Sequence, residues 1–505
     1  MSGEVQETSQ DITSDSDTAA TPESSANVPG IPNMTPQSKA PECVTSDEPD
    51  HLFRTEAVIE QPTTTRKELW SYYLYYNGDN GVGPGSYTQA LFQWALNGAG
   101  WQPGTTPPKP CTQSAPCVVP WAGGTRTVSS VVLIANGLCF TFMTVIFVWL
   151  GSAADYGSFG RWLLLTLTIA CWALQYGMMA IRHPSQWPAA MGMYVVAYVA
   201  YGATLVFYAA VFPRLARYMP HVRKAREEDL REGRIGQQEY DMIESLERNH
   251  ISNVSTAHSN IGYLLTLVLN LSVLLPLQGN NYANNLALCL TNSCMTMLYN
   301  TLGTLTLQLD WVVLGIWWFI FQQKRPGPEV PKGSNYATIG FKQIWMAIKE
   351  VRSLPQTFLY FLAYFLLADG LNTTGSLVSI IQNDNVSFSF LNLTYLNIVQ
   401  AACSIASTLG FWYIQNYFKI RTKRMFLVTN FFSVFIPFWG MLGLWTERVG
   451  YHNRWEFYFY NIIFGLFQAP YYAYAQTMIS ELMPQGYDNM FFALFGITNR
   501  AVSIQ

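Results

Sequence analysis

Charged side chains are scarce in this chain. Asp, Glu, Lys and Arg together make up 12% of its 505 residues, whereas soluble domains contain about 25%. Half of the residues are hydrophobic, and they gather repeatedly into runs of about 20, the length that crosses a bilayer as a helix. The composition therefore predicts a polytopic α-helical membrane protein.

The sequence also lacks the common motifs of enzymes and of ATP-driven pumps. It contains no phosphate-binding loop, no nucleophile elbow, and no His or Cys set at metal-ligand spacing. Its net charge of −3 reflects carboxylates crowded near the amino end, with basic residues between the apolar runs, so it does not point to nucleic acid. We expect no enzymatic activity, no cofactor and no bound metal.

The amino end is poor in aromatic residues. Residues 1–60 hold twelve acidic side chains against only Lys39 and Arg54, and such a segment cannot bury enough apolar surface to fold. It has no basic stretch followed by a short apolar run, so a cleavable signal peptide is not expected. Residues 1–65 are predicted to be a disordered cytosolic tail.

Eight apolar segments are long enough to span a bilayer. They are residues 128–150, 161–181, 188–212, 259–277, 357–381, 388–416, 425–445 and 457–480. Two weaker candidates are residues 69–97, which polar residues and glycines interrupt, and a stretch that ends at 311–321. Residues 489–499 look like the start of a further span.

Basic residues concentrate in alternate loops, namely 213–258, 322–356 and 417–424. Loops rich in Lys and Arg stay on the cytoplasmic side of a membrane. The asymmetry is consistent only if residues 69–97 form a true span and the amino terminus is cytoplasmic.

These spans follow the plan of the major facilitator fold, an all-α membrane fold with two bundles of six helices. We assign 66–212 to spans one to four, 213–258 to a charged cytosolic loop, 259–321 to spans five and six, 322–356 to a cytosolic central loop, and 357–505 to an incomplete second bundle. On this plan the chain is truncated in the eleventh span, as in a fragment or a truncated gene model. A natural ten-span protein is the alternative.

A loop motif lies between the second and third spans. Gly151, Asp155, Gly160 and Arg161 resemble the loop signature of major facilitator proteins, with Tyr156 in place of the Arg expected after the Asp. The glycines allow a tight turn, and Asp155 can pair with a basic group or a helix end to hold one conformer closed. An ordinary polar turn is the alternative interpretation.

Ionisable residues inside spans are costly and are usually functional. Asp79 interrupts the first span and Asp369 the seventh, and broken polar segments at matching positions of two bundles mark a site near the midplane. Alternatively, the two aspartates hydrogen-bond to neighbouring helices or lie at helix breaks. The candidates for substrate binding or proton coupling are Asn77, Asp79, Asn80, Asp369, Asn372 and Thr373.

Three further features have two interpretations each. The tenth span is polar and aromatic over 468–476, which suits either a pore-facing helix or tyrosine packing. Segment 221–250 has mixed charges at helical spacing, as expected of a partner-binding helix or of a solvated linker. Cys111 and Cys117 lie on the non-cytoplasmic side, where they form a disulfide or remain free.

Several segments resemble the fungal autophagy-related protein 22 family. They are ELWSYYLYY (68–76), SNIGYLL (259–265), LADG (367–370), ELMP (481–484) and NMFFALFGITNR (489–500). The resemblance implies a vacuolar transporter of the major facilitator superfamily that exports amino acids, leucine and other neutral ones, to the cytosol after autophagic breakdown. A non-transporting membrane sensor or scaffold on the same fold, with 221–250 as its partner surface, is the alternative function.

Two departures from the family qualify this expectation. Residues 294–310 do not match it, since the family would pass almost directly from 286–292 into 311–321, as after a retained intron or an annotation error. With this segment and an incomplete second bundle, we expect the chain to be unstable or inactive as a transporter.

Overall fold

The computed structural model describes residues 61–79, 84–104, 109, 111, 117–178, 180–277, 318–330, 335–349, 354–385 and 390–500. The predicted disordered tail, apart from 61–65, and the unmatched segment 294–310 lie outside the described residues. Most of the described residues are helical. The predicted all-α class is therefore confirmed.

The described helices and strands follow one another along the chain as follows. They are α1 (Arg66–Asp79), α2 (Pro84–Ala99), β1 (Val118–Trp121), β2 (Gly124–Thr127), α3 (Val128–Ala153), α4 (Phe159–Met178), α5 (Trp187–Ala209), α6 (Phe212–Arg217), α7 (Pro220–Lys224), α8 (Gln237–Leu277), α9 (Tyr336–Lys349), α10 (Pro355–Asn385), α11 (Phe390–Phe418), α12 (Thr422–Leu442), α13 (Arg454–Leu482) and α14 (Asp488–Arg500).

The first predicted span, 69–97, consists of two helices in the structure. Helix α1 ends at Asp79, and α2 begins at Pro84, a residue that suits the first turn of a helix because it has no N–H to satisfy. Helix α1 packs against α8, and α2 packs against α5. The interruption that the sequence predicts within this span is therefore present between two separately packed helices.

Helix α8 is much longer than the predicted fifth span. It has 41 residues, which at 1.5 Å each is roughly 60 Å, about twice the hydrocarbon thickness of a bilayer. Its first half occupies 237–258, and together with α6, α7 and a π-helical turn (Ala225–Asp229) it replaces most of the predicted loop 213–258. Helix α9 likewise lies within the predicted central loop and packs against α3.

The charged residues at the start of α8 are buried rather than solvated. Arg217, Glu244 and Arg248 are each less than one-tenth exposed. Arg217 Nε lies 3.2 Å from Glu244 Oε1, and Arg248 also pairs with Glu244. Burial alone would raise the pKa of Glu244, but the charges of Arg248 and Arg217 outweigh it and lower the pKa to about 2. The interpretation of 221–250 as a solvated linker is therefore wrong for this part.

Three described helical stretches are long and apolar enough throughout to cross a membrane: Val128–Ala153, Pro184–Arg217 and Thr422–Leu442. Helix α4 contains a shorter apolar stretch, Phe159–Leu174. The long helices α8, α10, α11 and α13 carry polar side chains among their apolar ones. Many of these polar side chains are buried against other helices, as expected where helices pack on one another inside a bundle.

A hairpin and a disulfide lie at the beginning of α3, on the side we call the opposite side. Ala122 and Gly123, with φ of 46° and 83°, connect β1 to β2, as in the two-residue turns that match strand twist. A disulfide joins Cys111 to Cys117. The disulfide alternative for these cysteines is therefore confirmed. The basic side, defined by 154–161, 212–258 and 322–335, lies at the other end of α3.

The two halves of the chain, before and after residue 322, share one apolar core. It includes Phe147 and Val206 from the first half and Tyr364 and Phe495 from the second. A Cβ atom on Gly496 would come within 2.6 Å of Val206 and 3.0 Å of Phe147. Close helix approach at a glycine supplies the van der Waals contact that holds helices together in lipid.

Gly262 provides a test of the packing of α1 on α8. A Cβ atom there would come within 1.8 Å of the Asn77 carbonyl oxygen, so Gly262→Ala should push the helices apart and cost about 1–3 kcal/mol. Gly137→Ala on α3 is the matched control, because no atom lies within 4 Å of its Cβ position. Thermal unfolding in detergent should show a lower midpoint for Gly262→Ala alone; equal midpoints would contradict the packing.

Candidate functional site

A cavity of about 430 Å³ lies between the two halves of the chain. Helices α1, α5 and α8 line it from the first half, and α11, α13 and α14 from the second. Its volume is in the range of sites that hold small molecules, about 300–1,000 Å³. We call it the central cavity.

The central cavity is polar without being ionic. None of its described lining residues is Asp, Glu, Lys, Arg or His. Its apolar lining includes Val206, Phe464, Phe492 and Phe495. Its polar lining consists of Tyr76, Tyr208, Thr256, Ser259, Asn260, Tyr263, Gln400, Ser404, Tyr472, Gln476 and Asn499. Such walls offer neutral hydrogen-bond donors and acceptors beside an aromatic surface.

Helix α8 contributes a polar stripe to this cavity. Thr256, Ser259, Asn260 and Tyr263 are three or four residues apart, which places them on one helix face. Asn260 Nδ2 and Thr256 Oγ1 each donate to the carbonyl oxygen four residues earlier, at 2.8 and 2.9 Å. The sequence analysis used SNIGYLL only as a family resemblance and missed this stripe, although its spacing was available as a signal.

The tenth span divides its polar residues between the cavity and the core. Tyr472 and Gln476 line the central cavity, whereas Tyr471 and Tyr474 are fully buried. Gln468 Nε2 donates to the Tyr472 hydroxyl at 3.3 Å. Both interpretations of 468–476 therefore apply, each to different residues.

The predicted coupling candidates on the first span lie away from the central cavity as far as they are described. Asn77 Nδ2 donates to the His258 carbonyl oxygen at 3.0 Å, which ties α1 to α8. Asp79 is the last residue of α1, and Asn80 lies outside the described residues.

The candidates on α10 are half-buried. Asp369, Asn372 and Thr373 are not among the described residues that line the central cavity. Helix α10 reaches the cavity wall instead through Tyr364, whose hydroxyl donates to Asn499 Oδ1 at 3.4 Å.

Asp155 of the loop motif connects the two halves on the basic side. Its carboxylate accepts the backbone N–H groups of Asn489 and Met490 at 2.8 and 3.0 Å and the Asn489 amide at 2.9 Å. Arg214 Nη2 donates to it at 2.9 Å, and Arg214 Nε bonds to Asp488 at 2.5 Å. A buried carboxylate thus caps the first turn of α14, where backbone N–H groups have no partner within the helix.

The other motif residues have separate roles. A Cβ atom on Gly151 would lie 2.6 Å from Ala493 Cβ, and one on Gly160 would lie 2.6 Å from the Ala154 carbonyl oxygen, so both positions need glycine. Arg161 does not pair with Asp155; its Nη2 donates to the Phe319 carbonyl oxygen at 2.8 Å. Tyr156 bonds to Gln343 of α9.

A second contact joins the halves on the basic side, between α8 and the start of α12 with the end of α13. Ser245 and Thr422 donate to Glu481 Oε1 at 2.5 and 2.6 Å. Asn249 Nδ2 donates to Thr422 Oγ1 at 2.7 Å, and Arg248 Nη1 to the Ser480 carbonyl oxygen at 2.7 Å. The loop after α11 lacks an Asp at the matching position, and here Glu481 supplies the carboxylate.

Comparisons of sequence identify relatives along most of the chain. The family model described as vacuole effluxer Atg22 like matches residues 64–505. Autophagy-related protein 22-1 of Penicillium rubens is 22% identical over 446 residues, which cover 80% of this chain and 75% of that protein. Autophagy-related protein 22 of Yarrowia lipolytica is 24% identical over 424 residues, 77% of this chain and 71% of that protein.

A comparison of structures identifies the fold. A bacterial homologue of the iron transporter ferroportin, solved in an outward-facing state, superposes with a TM-score of 0.50 and 12% identity over 86% of this chain and 89% of that one. At this identity the likeness shows the fold alone, and it confirms the predicted major facilitator class. A family match over most of the chain and this transporter fold lead to one conclusion: the chain belongs to the vacuole effluxer Atg22-like family of membrane transporters.

Proposed function

We propose that this protein exports neutral amino acids, leucine among them, from the vacuole to the cytosol after autophagic breakdown. The family membership supports a vacuolar transporter. The observation that carries the proposal is the central cavity, which lies between the two halves and has hydroxyl and amide groups without an ionised side chain in its described lining.

The cavity chemistry favours a solute with no net charge. Burying a net charge without a partner is costly, so a cationic or anionic solute would need an ionised residue in the wall. A zwitterion carries both charges itself, and its carboxylate and ammonium groups can bond to neutral donors and acceptors such as Asn260 and Gln476. The wall formed by Val206, Phe464 and Phe492 suits an apolar side chain.

Alternating access requires that contacts between the halves form on one side and break on the other. The Asp155 and Glu481 contacts both join the halves on the basic side, which we infer to be cytosolic from its Lys and Arg residues. These contacts would hold that side closed and would have to separate before solute reaches the cytosol.

The sensor alternative depends on segment 221–250 as a partner surface. Glu244, Glu247 and Arg248 of this segment are buried, and Ser245 and Asn249 bond to Thr422 in the second half. These groups are therefore used within the chain. The exposed charges of 226–234 are what remains for a cytosolic partner.

Cavity variants test the substrate site in proteoliposomes. Gln476→Leu removes a hydrogen-bonding group facing the cavity, and a bond to a charged solute group contributes about 1.5–3 kcal/mol, so leucine kcat/KM should fall roughly tenfold or more. Thr256→Val should lower it less. Thr141→Val is the matched control, since Thr141 makes the same bond to the carbonyl four residues earlier but is exposed on α3. Equal kcat/KM for Thr256→Val and Thr141→Val, with Gln476→Leu at the wild-type value, would reject this site.

A labelling experiment tests the role of the Asp155 contact. Asp155→Asn leaves one acceptor oxygen where the carboxylate has two, so the Met490 or Asn489 N–H bond is lost and Arg214 loses a charged partner. A cysteine placed by Ala493→Cys, a position that is 2% exposed, should then react faster with a membrane-impermeant maleimide. Glu227→Gln, which removes an exposed ion pair with Arg223, should leave the rate unchanged. The same rate in all three backgrounds would show that Asp155 does not hold this side closed.

Asp369 remains our candidate for proton coupling. Asp369→Asn keeps the shape and hydrogen bonding of the side chain but cannot exchange a proton, so the variant should still exchange leucine while losing its response to a pH gradient. Glu447→Gln, which removes an exposed carboxylate, is the control. Leucine efflux measured at two luminal pH values decides the point, and an unchanged pH dependence in Asp369→Asn would end the coupling proposal.

A further inference from the structure

A second cavity, of about 490 Å³, lies on the basic side, apart from the central cavity. Its walls come from the beginning of α4, the end of α5 and the segment 319–326. Four of its lining residues are basic: Arg161, Arg214, Lys324 and Arg325. We call it the basic pocket.

Two of these four cations have carboxylate partners. Arg214 bonds to Asp155 and Asp488, and Arg325 Nη2 lies 2.8 Å from Glu68 Oε2. Within the described part of the chain, Arg161 and Lys324 make no ion pair, and the buried Nε of Arg161 has no acceptor. A buried donor without a partner is uncommon in folded proteins. The pocket therefore presents positive charge that the described residues do not neutralise.

The beginning of α4 adds to this positive potential. Gly157, Ser158 and Gly160 line the pocket, and α4 runs for 20 residues from Phe159. The first N–H groups of a helix have no partner within it, and its dipole is positive at that end. Together with Arg161, this helix end favours an anionic group that carries several acceptor oxygens, such as a phosphate.

The remaining walls of the pocket are apolar and lead to the lipid-facing surface. Leu164, Phe207 and Phe319 line the interior. Trp162, which also lines the pocket, is 55% exposed, and the neighbouring Ile320 is 64% exposed. In a membrane-spanning chain, an exposed Trp near a helix end marks the boundary between headgroups and acyl chains.

From this juxtaposition we propose that the basic pocket binds the headgroup of an anionic phospholipid, with its phosphate at Arg161, Lys324 and the start of α4 and its acyl chains along Trp162 and Ile320. Soluble phosphate esters share the headgroup chemistry, but only a lipid uses the apolar exit. The proposal does not depend on which solute the central cavity carries.

The pocket also adjoins the Asp155 contact, because Arg214 and Asn489 line it. A bound headgroup would therefore lie against the residues that join the halves. Its affinity should differ between states in which this contact is closed and open, and by linkage the lipid should then shift that equilibrium.

Binding of fluorescent phosphatidylserine and phosphatidylcholine to the purified full chain in detergent tests the site. Wild type should prefer phosphatidylserine. Arg161→Gln combined with Lys324→Gln should reduce that preference about tenfold to thirtyfold, since each basic group near a membrane surface contributes about 1 kcal/mol to anionic-lipid binding. Lys423→Gln combined with Arg424→Gln removes the same charges from exposed positions on the same side and should keep the preference.

Two further arms separate the explanations. Arg161→Lys with wild-type Lys324 keeps both charges and should retain most of the preference, whereas a loss equal to that of the double Gln variant would indicate misfolding and overturn the assignment. Phosphoserine, the free headgroup, should compete only weakly. Competition as strong as that of the lipid would assign the pocket to soluble phosphate esters, and an equal loss in both double variants would reduce the effect to general surface charge.

Discussion

The carboxylate of Asp155 is the point on which the arrangement of the two halves depends most directly. It satisfies two backbone N–H groups at the start of α14 and the guanidinium of Arg214, all in a buried position. Removing a carboxylate from water is favourable only when its oxygens are fully bonded. The same bonds that stabilise this turn therefore join the halves, and the turn cannot keep them if α14 moves away.

Helix α8 extends this constraint across the molecule. Its apolar second half packs beside α1, α11 and α13, and its polar stripe lines the central cavity. Its first half carries the buried Glu244 cluster and the bonds to Thr422 and Ser480. Because an α-helix is stiff along its axis, a change at the basic end of α8 is carried to the cavity wall.

The two cavities differ in the way they treat charge. The central cavity has no ionised group in its described lining, which suits a solute that must bind and leave. The basic pocket keeps Arg161 and Lys324 without carboxylate partners, which suits an anion that stays. Both cavities touch helices of the Asp155 contact, so the positions of α5 and α14 affect both.

The sequence by itself determined the class of the protein. Apolar runs, alternating basic loops and the Gly151–Arg161 motif predict a major facilitator transporter because lipid restricts the chain to helices of a set length. The break within residues 69–97 was also predictable, from its glycines and polar residues. The extent of α8 was not, since its charged first half resembles a solvated loop until Arg217 and Arg248 are placed around Glu244. Only the tertiary structure decided that Thr256, Asn260 and Gln476 share a cavity that Asp369 does not line, because a helical period shows which residues share a face but not which helix that face meets.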